Sequence, residues 1–446
     1  MSTLSPATLA PPTACLVDAP PLPLPPAAAP DDDAGFRAFA ARLVATGVVS
    51  DPWIDGRPRF QARPVVIAAA ERRALEGAAE EICAAYQSLA LLCAADPDLV
   101  ARTFHLTEFQ RLMWRSSAPL WHVLARADVF FVTDGGLRVC ELNCDTPSGE
   151  AEAVLCSAIA AADRPTLDDP SAALGGRLCD ALLAIAGQLD RAPGPLTVGL
   201  LYPTELSEDL SMIRIYRRWL VERGVRVVLG SPFNLSAVGD GVGLFGTRCD
   251  LFLRHYKTDW WSERRPSRRS ESAPRDDAPL ERELGLLLGG VERGACAVVN
   301  PFGAVLLQNK RSMALLWEAI DRLDPRAQSA VRRFLPLTIR LESYPPSRLA
   351  EERERWVLKS DYGCEGAEVI VGAACTDAEW GEAIADAVPE RWVAQERFRS
   401  LRDELGRETN FGVYLVGGRA SGFLTRLSRE ATDCHAVTAP TLVETT

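Results

Sequence analysis

Apolar positions recur with two different periods along this chain. From Phe36 to about Leu124 they fall at helical spacing, most clearly from Glu71 to Leu92, so helices are expected across 35–124. The period then drops to two. Val129-Phe130-Phe131-Val132 and Leu137-Arg138-Val139-Cys140 flank a Thr-Asp-Gly-Gly turn, which predicts a β-hairpin over 126–147. Helical spacing returns over 150–189, broken at Asp163-Arg164-Pro165. A buried strand at 196–201, a helix over 209–222 with Ser207 as its N-cap, a stop at Gly224 and a strand at 225–229 form a βαβ unit. Such a unit implies a parallel, Rossmann-like sheet, with 250–256 as another strand. After Ala297 the pattern predicts a strand ending at Pro301, a helix over 311–323, and strands at 356–359, 369–371, 392–395 and 411–416.

Composition narrows the classes. At 446 residues the chain is long enough for several domains, and its 47% apolar and 24% charged residues are ordinary for a globular protein. A net charge of −11 weighs against nucleic acid as a partner. Twelve cysteines contain no C-x2-C pair, and His105, His122, His255 and His435 have no zinc spacing, so reduced cytoplasmic thiols are expected. No apolar stretch is long enough for a membrane helix. Residues 1–34 read as a disordered Pro/Ala-rich tail and 262–282 as a disordered charged insertion. Gly241-Val242-Gly243-Leu244-Phe245-Gly246 matches a dinucleotide fingerprint, but it precedes a strand instead of following one. A nicotinamide oxidoreductase therefore lacks its usable motif.

The predicted hairpin sets Asp128, Glu141 and Asn143 in the spacing D-x12-E-x-N. Side chains alternate along a strand, so Glu141 and Asn143 share a face, with Asp128 on the partner strand. Two carboxylates and an amide oxygen suit a hard cation such as Mg²⁺; a solvated hairpin end is the alternative. Lys359 ends a strand and precedes Gly363 and Gly366, an arrangement that reaches phosphates or simply turns a hairpin. Lys310 begins a helix, where a cation opposes the helix dipole and signals either a bound anion or an exposed lysine. Gln395 and Glu396 end an apolar strand in a place suited to an adenine edge. Arg126 and Arg426 either steady charge on a transferred phosphoryl group or form surface ion pairs.

Taken in order, R-x-D…E-x-N-x-D-T-P, Asn309-Lys310, K-x3-G-x-E-G at 359–366 and Arg426 resemble the synthetase domain of glutathionylspermidine and trypanothione synthases. The resemblance runs from about residue 115 to the C-terminus. It implies an α/β, circularly permuted ATP-grasp fold with an inserted Rossmann-like pre-ATP-grasp subdomain and N-terminal helices. The implied organisation is a metal-binding hairpin and helices over 125–190, the pre-ATP-grasp subdomain over 191–298 and the nucleotide-binding region over 299–446. It implies ATP and Mg²⁺ as cofactors, with Asp128, Glu141 and Asn143 as metal ligands. Lys310, Lys359, Glu365 and Gly366 would contact nucleotide, and Gln395 and Glu396 the adenine. Arg126 and Arg426 would stabilise the phosphorylated intermediate, Thr146 would contact the acid, and Glu208 and Asp209 are candidates for the amine. Ser360 stands where the family has Pro, and Cys364 where it has Arg.

The implied activity is an ATP-dependent carboxylate–amine ligase acting through an acyl phosphate. Its small-molecule acid would be glutathione or a peptide and its amine a polyamine. The alternatives are a peptide or amino-acid ligase of a biosynthetic pathway and an inactive nucleotide-binding regulator.

Overall fold

The computed structural model describes residues 33–190, 194–204, 209–261, 265–272, 280–363, 368–429 and 435–445. Three sheets position the candidate site. The largest is antiparallel, with strand order Val437–Ala439, Arg419–Ser428, Glu408–Val416, Leu124–Val132, Gly136–Asn143. It joins the early hairpin to the last long hairpin of the chain. Every residue of Leu124–Val132 is buried, so Arg126 and Asp128 lie in an otherwise apolar strand. Buried charge of this kind persists only when it is paired. Helix Ala69–Ala95 packs on this sheet through Leu75, Ile82, Tyr86 and Leu89. Its start is tied by Glu71, whose carboxylate accepts from Ala68 N at 2.7 Å.

A second sheet is parallel, in the order Ala297–Val299, Leu251–Arg254, Thr197–Leu201, Arg226–Gly230. Helix Leu210–Glu222 makes the crossover, and Gly224 follows it at φ +73°, the left-handed conformation that ends helices. This is the βαβ unit expected from the sequence. The third sheet is antiparallel: Thr338–Arg340, Trp392–Glu396, Trp356–Ser360, Val369–Val371. It has its own small core of Leu341, Leu349, Trp356, Leu358, Trp380 and Trp392.

Three expectations are corrected. The stretch 35–124 is not helical throughout: Trp53–Ile54 and Arg57–Pro58 form a short hairpin, and Val65–Ile67 pairs in parallel with Thr441–Glu444. Asp55 and Gly56 take positive φ at its turn, and Pro52, Pro58 and Pro64 remove donors that a helix requires. The insertion 262–282 is docked wherever it is described. Trp392 Nε1 donates to Ser267 O at 2.7 Å, Ser270 bonds the Asp386 carboxylate, and helix Glu281–Glu292 has already begun. Polar composition there reflects hydrogen bonding to the small sheet. The tail 1–34 gives way at Asp33 to a helix, Asp33–Ala45; residues 1–32 lie outside the described residues. Gly241–Leu244 is a strand turning through Phe245 and Gly246 into Thr247–Arg248, so the glycine-rich decoy opens no helix.

The cysteines of the described residues are all free. No helix among those residues is long and apolar enough to cross a membrane.

Candidate functional site

The hairpin register places Arg126 opposite Asn143 and Asp128 opposite Glu141, with a bulge immediately after Asp128. On the other side of the same strand, Gly412 faces Asp128. A Cβ at Gly412 would lie 2.7 Å from Arg126 Cδ, so glycine leaves room for the guanidinium. Arg126 Nε donates to Asp128 Oδ1 at 2.8 Å and Nη2 to Oδ2 at 3.3 Å, while Nη1 donates to Ser148 O at 2.8 Å. Arg426, from the C-terminal hairpin, donates to Asp128 Oδ2 at 2.7 Å. Burial alone would raise the Asp128 pKa; Arg126 and then Arg426 outweigh it and hold the carboxyl at about 2.

Asp128 thus sits in a clamp of two guanidinium groups, with Asn410 Nδ2 at 3.5 Å as a further donor. A carboxylate has about four lone-pair directions, and these donors take most of them. The oxygens with most room for a cation are those of Glu141, Asn143 and Asn410, with Asp128 Oδ1 beside them carrying a single donor. Glu141 accepts from Asn143 Nδ2 at 3.0 Å and lies 3.8 Å from Lys310 Nζ. Asn410 is 2% exposed, and its Oδ1 has no partner. All these donors are hard oxygens, which fits Mg²⁺. Among the described residues no group of three His, Cys, Asp or Glu side chains is placed to hold a metal alone. An ion here would draw its remaining ligands from a bound phosphate, as Mg²⁺ commonly does.

The backbone that presents these groups is fixed from the parallel sheet. Asn300 follows strand Ala297–Val299; its side chain donates to the carbonyls of Leu124, Cys144 and Asp145 and accepts from Val123 N and Leu124 N. Asp145 accepts from Arg254 Nη2 at 2.5 Å and Thr258 N at 2.7 Å. Gln308 Oε1 accepts from Cys144 N and Asp145 N. These bonds shape the turn that carries Thr146.

The small sheet faces the same space. Lys359 is buried; its Nζ donates to Cys140 O at 3.1 Å. Gln395 Nε2 reaches the same carbonyl at 3.3 Å and Thr338 Oγ1 at 3.2 Å. Lys310 is also buried, and its Nζ donates to Gly363 O at 2.5 Å. Two buried ammonium groups held chiefly by carbonyls suit an anionic ligand.

These side chains line one cavity of about 1520 Å³. Arg126, Asp128, Glu141, Asn143, Thr146, Asp209, Lys310, Lys359, Gln395, Glu396 and Arg426 all contribute to its wall. Glu396 is half out of it, paired with Arg355 at 3.1 Å. Asp209 bonds His255 Nε2 at 3.2 Å. Glu208, Glu365 and Gly366 lie outside the described residues. The charged stretch 397–408 is tethered where it meets the hairpin: Leu401 N donates to Phe131 O, and Phe398 packs on Phe130 at 5.4 Å. Sequence reasoning missed Asn410, Gln308 and Asn300. The signal for Asn410 was an amide inside the apolar run 408–416; the other two carried none.

The mixed α/β fold is shared with a synthetase-like protein of known structure. A glutathione synthetase-like effector from Globodera pallida aligns over 92% of this chain and 96% of its own, at 10% identity and a TM-score of 0.57. Residues 279–444 match the family described as glutathionylspermidine synthase preATP-grasp. The match includes Lys310, Lys359, Gln395, Glu396 and Arg426 and leaves the early hairpin outside it. A putative γ-glutamylcysteine synthetase from Methylobacillus flagellatus aligns over 79% of this chain and 85% of its own, at 13% identity and a TM-score of 0.42. D-alanyl-alanine synthetase A from Vibrio cholerae aligns over 53% and 67%, at 12% identity and a TM-score of 0.31. No curated protein matches the chain by sequence.

Proposed function

We propose that this protein is an ATP-dependent carboxylate–amine ligase, related in chemistry to glutathionylspermidine synthase and working through an acyl phosphate. The observation that carries the reading is the convergence of two buried lysines, an oxygen-rich hairpin face and a double-arginine clamp on one cavity. In this reading Lys310 and Lys359 hold nucleotide phosphates, and Gln395 and Glu396 lie along the adenine. Glu365 and Gly366 would contact the same nucleotide. Glu141 and Asn143, with Asn410 and Asp128 beside them, hold Mg²⁺. MgATP supplies the phosphoryl group that turns an unreactive carboxylate into an acylating agent.

The chain's own residues then do three things. Arg126 and Arg426 lie beside the place where negative charge grows, already oriented by Asp128, so little reorganisation is needed. The turn with Thr146 positions the acid. The walls would shield the activated acid from water, which would otherwise hydrolyse it. Domain roles follow the sequence reading: 125–190 presents the metal face, 191–298 the substrate side and 299–446 the nucleotide side, in circularly permuted order. A cytoplasmic site of action agrees with the free thiols.

The test is ADP release against mixed panels of acids, with glutathione among them, and amines, with product masses measured. ADP release that needs both an acid and an amine, with an amide as product, is expected. ATP binding without turnover on any pair would contradict the proposal and favour an inactive nucleotide-binding regulator.

A further inference from the structure

Part of the cavity wall carries chemistry that the nucleotide and metal groups do not explain. Glu152, in the first turn of helix Glu150–Ala162, is 7% exposed and lines the cavity. Its Oε1 accepts from Ser211 Oγ at 2.9 Å, while its Oε2 is buried with no partner. Asp209, two residues before Ser211, lines the same wall, as does Asp51. Arg59 lines the cavity beside Glu152, with Nη2 3.9 Å from Glu152 Oε1, beyond a hydrogen bond. Its Nη1 donates to Asp51 O at 2.9 Å. Its backbone is pinned on both sides, N to Pro52 O and O to Thr438 N. Arg59 comes from the non-helical stretch that the sequence pattern misread.

We infer that Glu152, Asp209 and Arg59 form a subsite for the head group of an α-amino acid. The ammonium would be held by the two carboxylates and the carboxylate by the guanidinium fork. The inference rests on the ligase reading and names the substrate class of that site.

The charge pattern decides between ligand classes. The unpartnered Glu152 oxygen is an acceptor waiting for a donor, since a buried carboxylate oxygen left without one is costly. A polyamine would satisfy it, but would bring further positive charge up to Arg59. A phosphate or simple carboxylate would suit Arg59, but would meet Glu152 and Asp209. A zwitterion matches both signs at once, and the planar fork of arginine fits a carboxylate bidentately. An ammonium anchored this way is not free to attack. The substrate that carries the head group therefore reacts through its other end, either as the amine partner or as the acid partner.

Titration calorimetry on the full chain tests this, with the common L-α-amino acids, reduced glutathione, spermidine and the decarboxylated counterpart of the best binder. MgADP binding is measured on the same sample. A free amino acid or glutathione is expected to bind, its decarboxylated counterpart not, and Arg59→Gln and Glu152→Gln each to weaken binding about tenfold or more. Binding of lysine or another amino acid with a side-chain amine places the head group on the amine partner; binding of glutamate, aspartate or glutathione places it on the acid partner. Spermidine as the only binder, unaffected or tightened by Arg59→Gln, overturns the inference in favour of a polyamine site. MgADP binding with no binder in the panel overturns the subsite and leaves the ligase reading intact. Failure of MgADP as well removes both.

Discussion

The two sheets that face the cavity handle buried charge in opposite ways. In the five-stranded sheet, Arg126, Asp128 and Arg426 satisfy one another inside the protein, with Asn410 alongside. In the small sheet and the helix start beside it, Lys359 and Lys310 are buried against the carbonyls of Cys140 and Gly363, with Glu141 at 3.8 Å from Lys310 as the carboxylate paired with them among the described residues. The first arrangement engages its carboxylate on both oxygens without ligand and fixes geometry, leaving Asn410 Oδ1 and Arg426 Nε without partners. The second is under-neutralised and gains from an anion. In the proposed function, orientation is built into one wall and affinity into the other, and variants on the two walls should fail in different ways.

The largest effect is expected from breaking the clamp. Arg126→Met strips a fully buried carboxylate of its main partner, which costs about 3–5 kcal/mol of stability. Urea unfolding checks this, and a loss under about 1 kcal/mol would show that the pair is not structurally important. Arg426 is partly exposed, so Arg426→Ala should fold. It should lower kcat by about 10²–10³ while MgATP affinity stays near that of the parent, as for a group acting only in the transition state. An unchanged kcat would remove Arg426 from the chemistry.

On the other wall, Lys359→Ala should barely touch stability, because its hydrogen bond is to one carbonyl. It should weaken ATP by about tenfold or more, the worth of a charge-assisted contact of about 1.5–3 kcal/mol. Calorimetry showing parental affinity would erase the contrast between the walls.

A smaller effect sharpens the comparison behind the clamp. Glu150 is buried beside Tyr216, and burial raises its pKa to about 8. The folded value lies above the unfolded one. The stability it contributes is thus fully present below the ordinary carboxylate range and is lost as pH rises toward about 8. Glu150→Gln should match the parent near pH 4–5 and exceed its stability near pH 9, by on the order of 2 kcal/mol. Parallel pH profiles for the two proteins would show that Glu150 titrates normally.

Local signals made much of this readable in the sequence. The hairpin, the βαβ unit and the strands of the small sheet each carry their period and their turn residues within about ten positions. The short hairpin at 53–58 escaped because its strands are two residues long, although Asp55-Gly56 is a turn signal. The segment 265–272 reads as solvated because its partners, Glu368, Asp386 and Trp392, are about a hundred residues away in sequence. The same separation hid the subsite, since nothing near Arg59 announces Glu152. The sequence suggested Asp128 as a metal ligand, and its spacing to Glu141 was legible. Its engagement by Arg126 and Arg426 was not, because one guanidinium arrives 298 positions later.

The central claim is that this cavity activates a carboxylate by phosphorylating it. The direct measurement uses acid labelled with ¹⁸O in its carboxyl group, incubated with MgATP, an amine and the protein, and follows the label by mass spectrometry. One labelled oxygen in the released phosphate is the predicted result, because an acyl phosphate leaves with the oxygen that attacked the γ-phosphoryl group. Amide formed with the label absent from phosphate and present in AMP would contradict it.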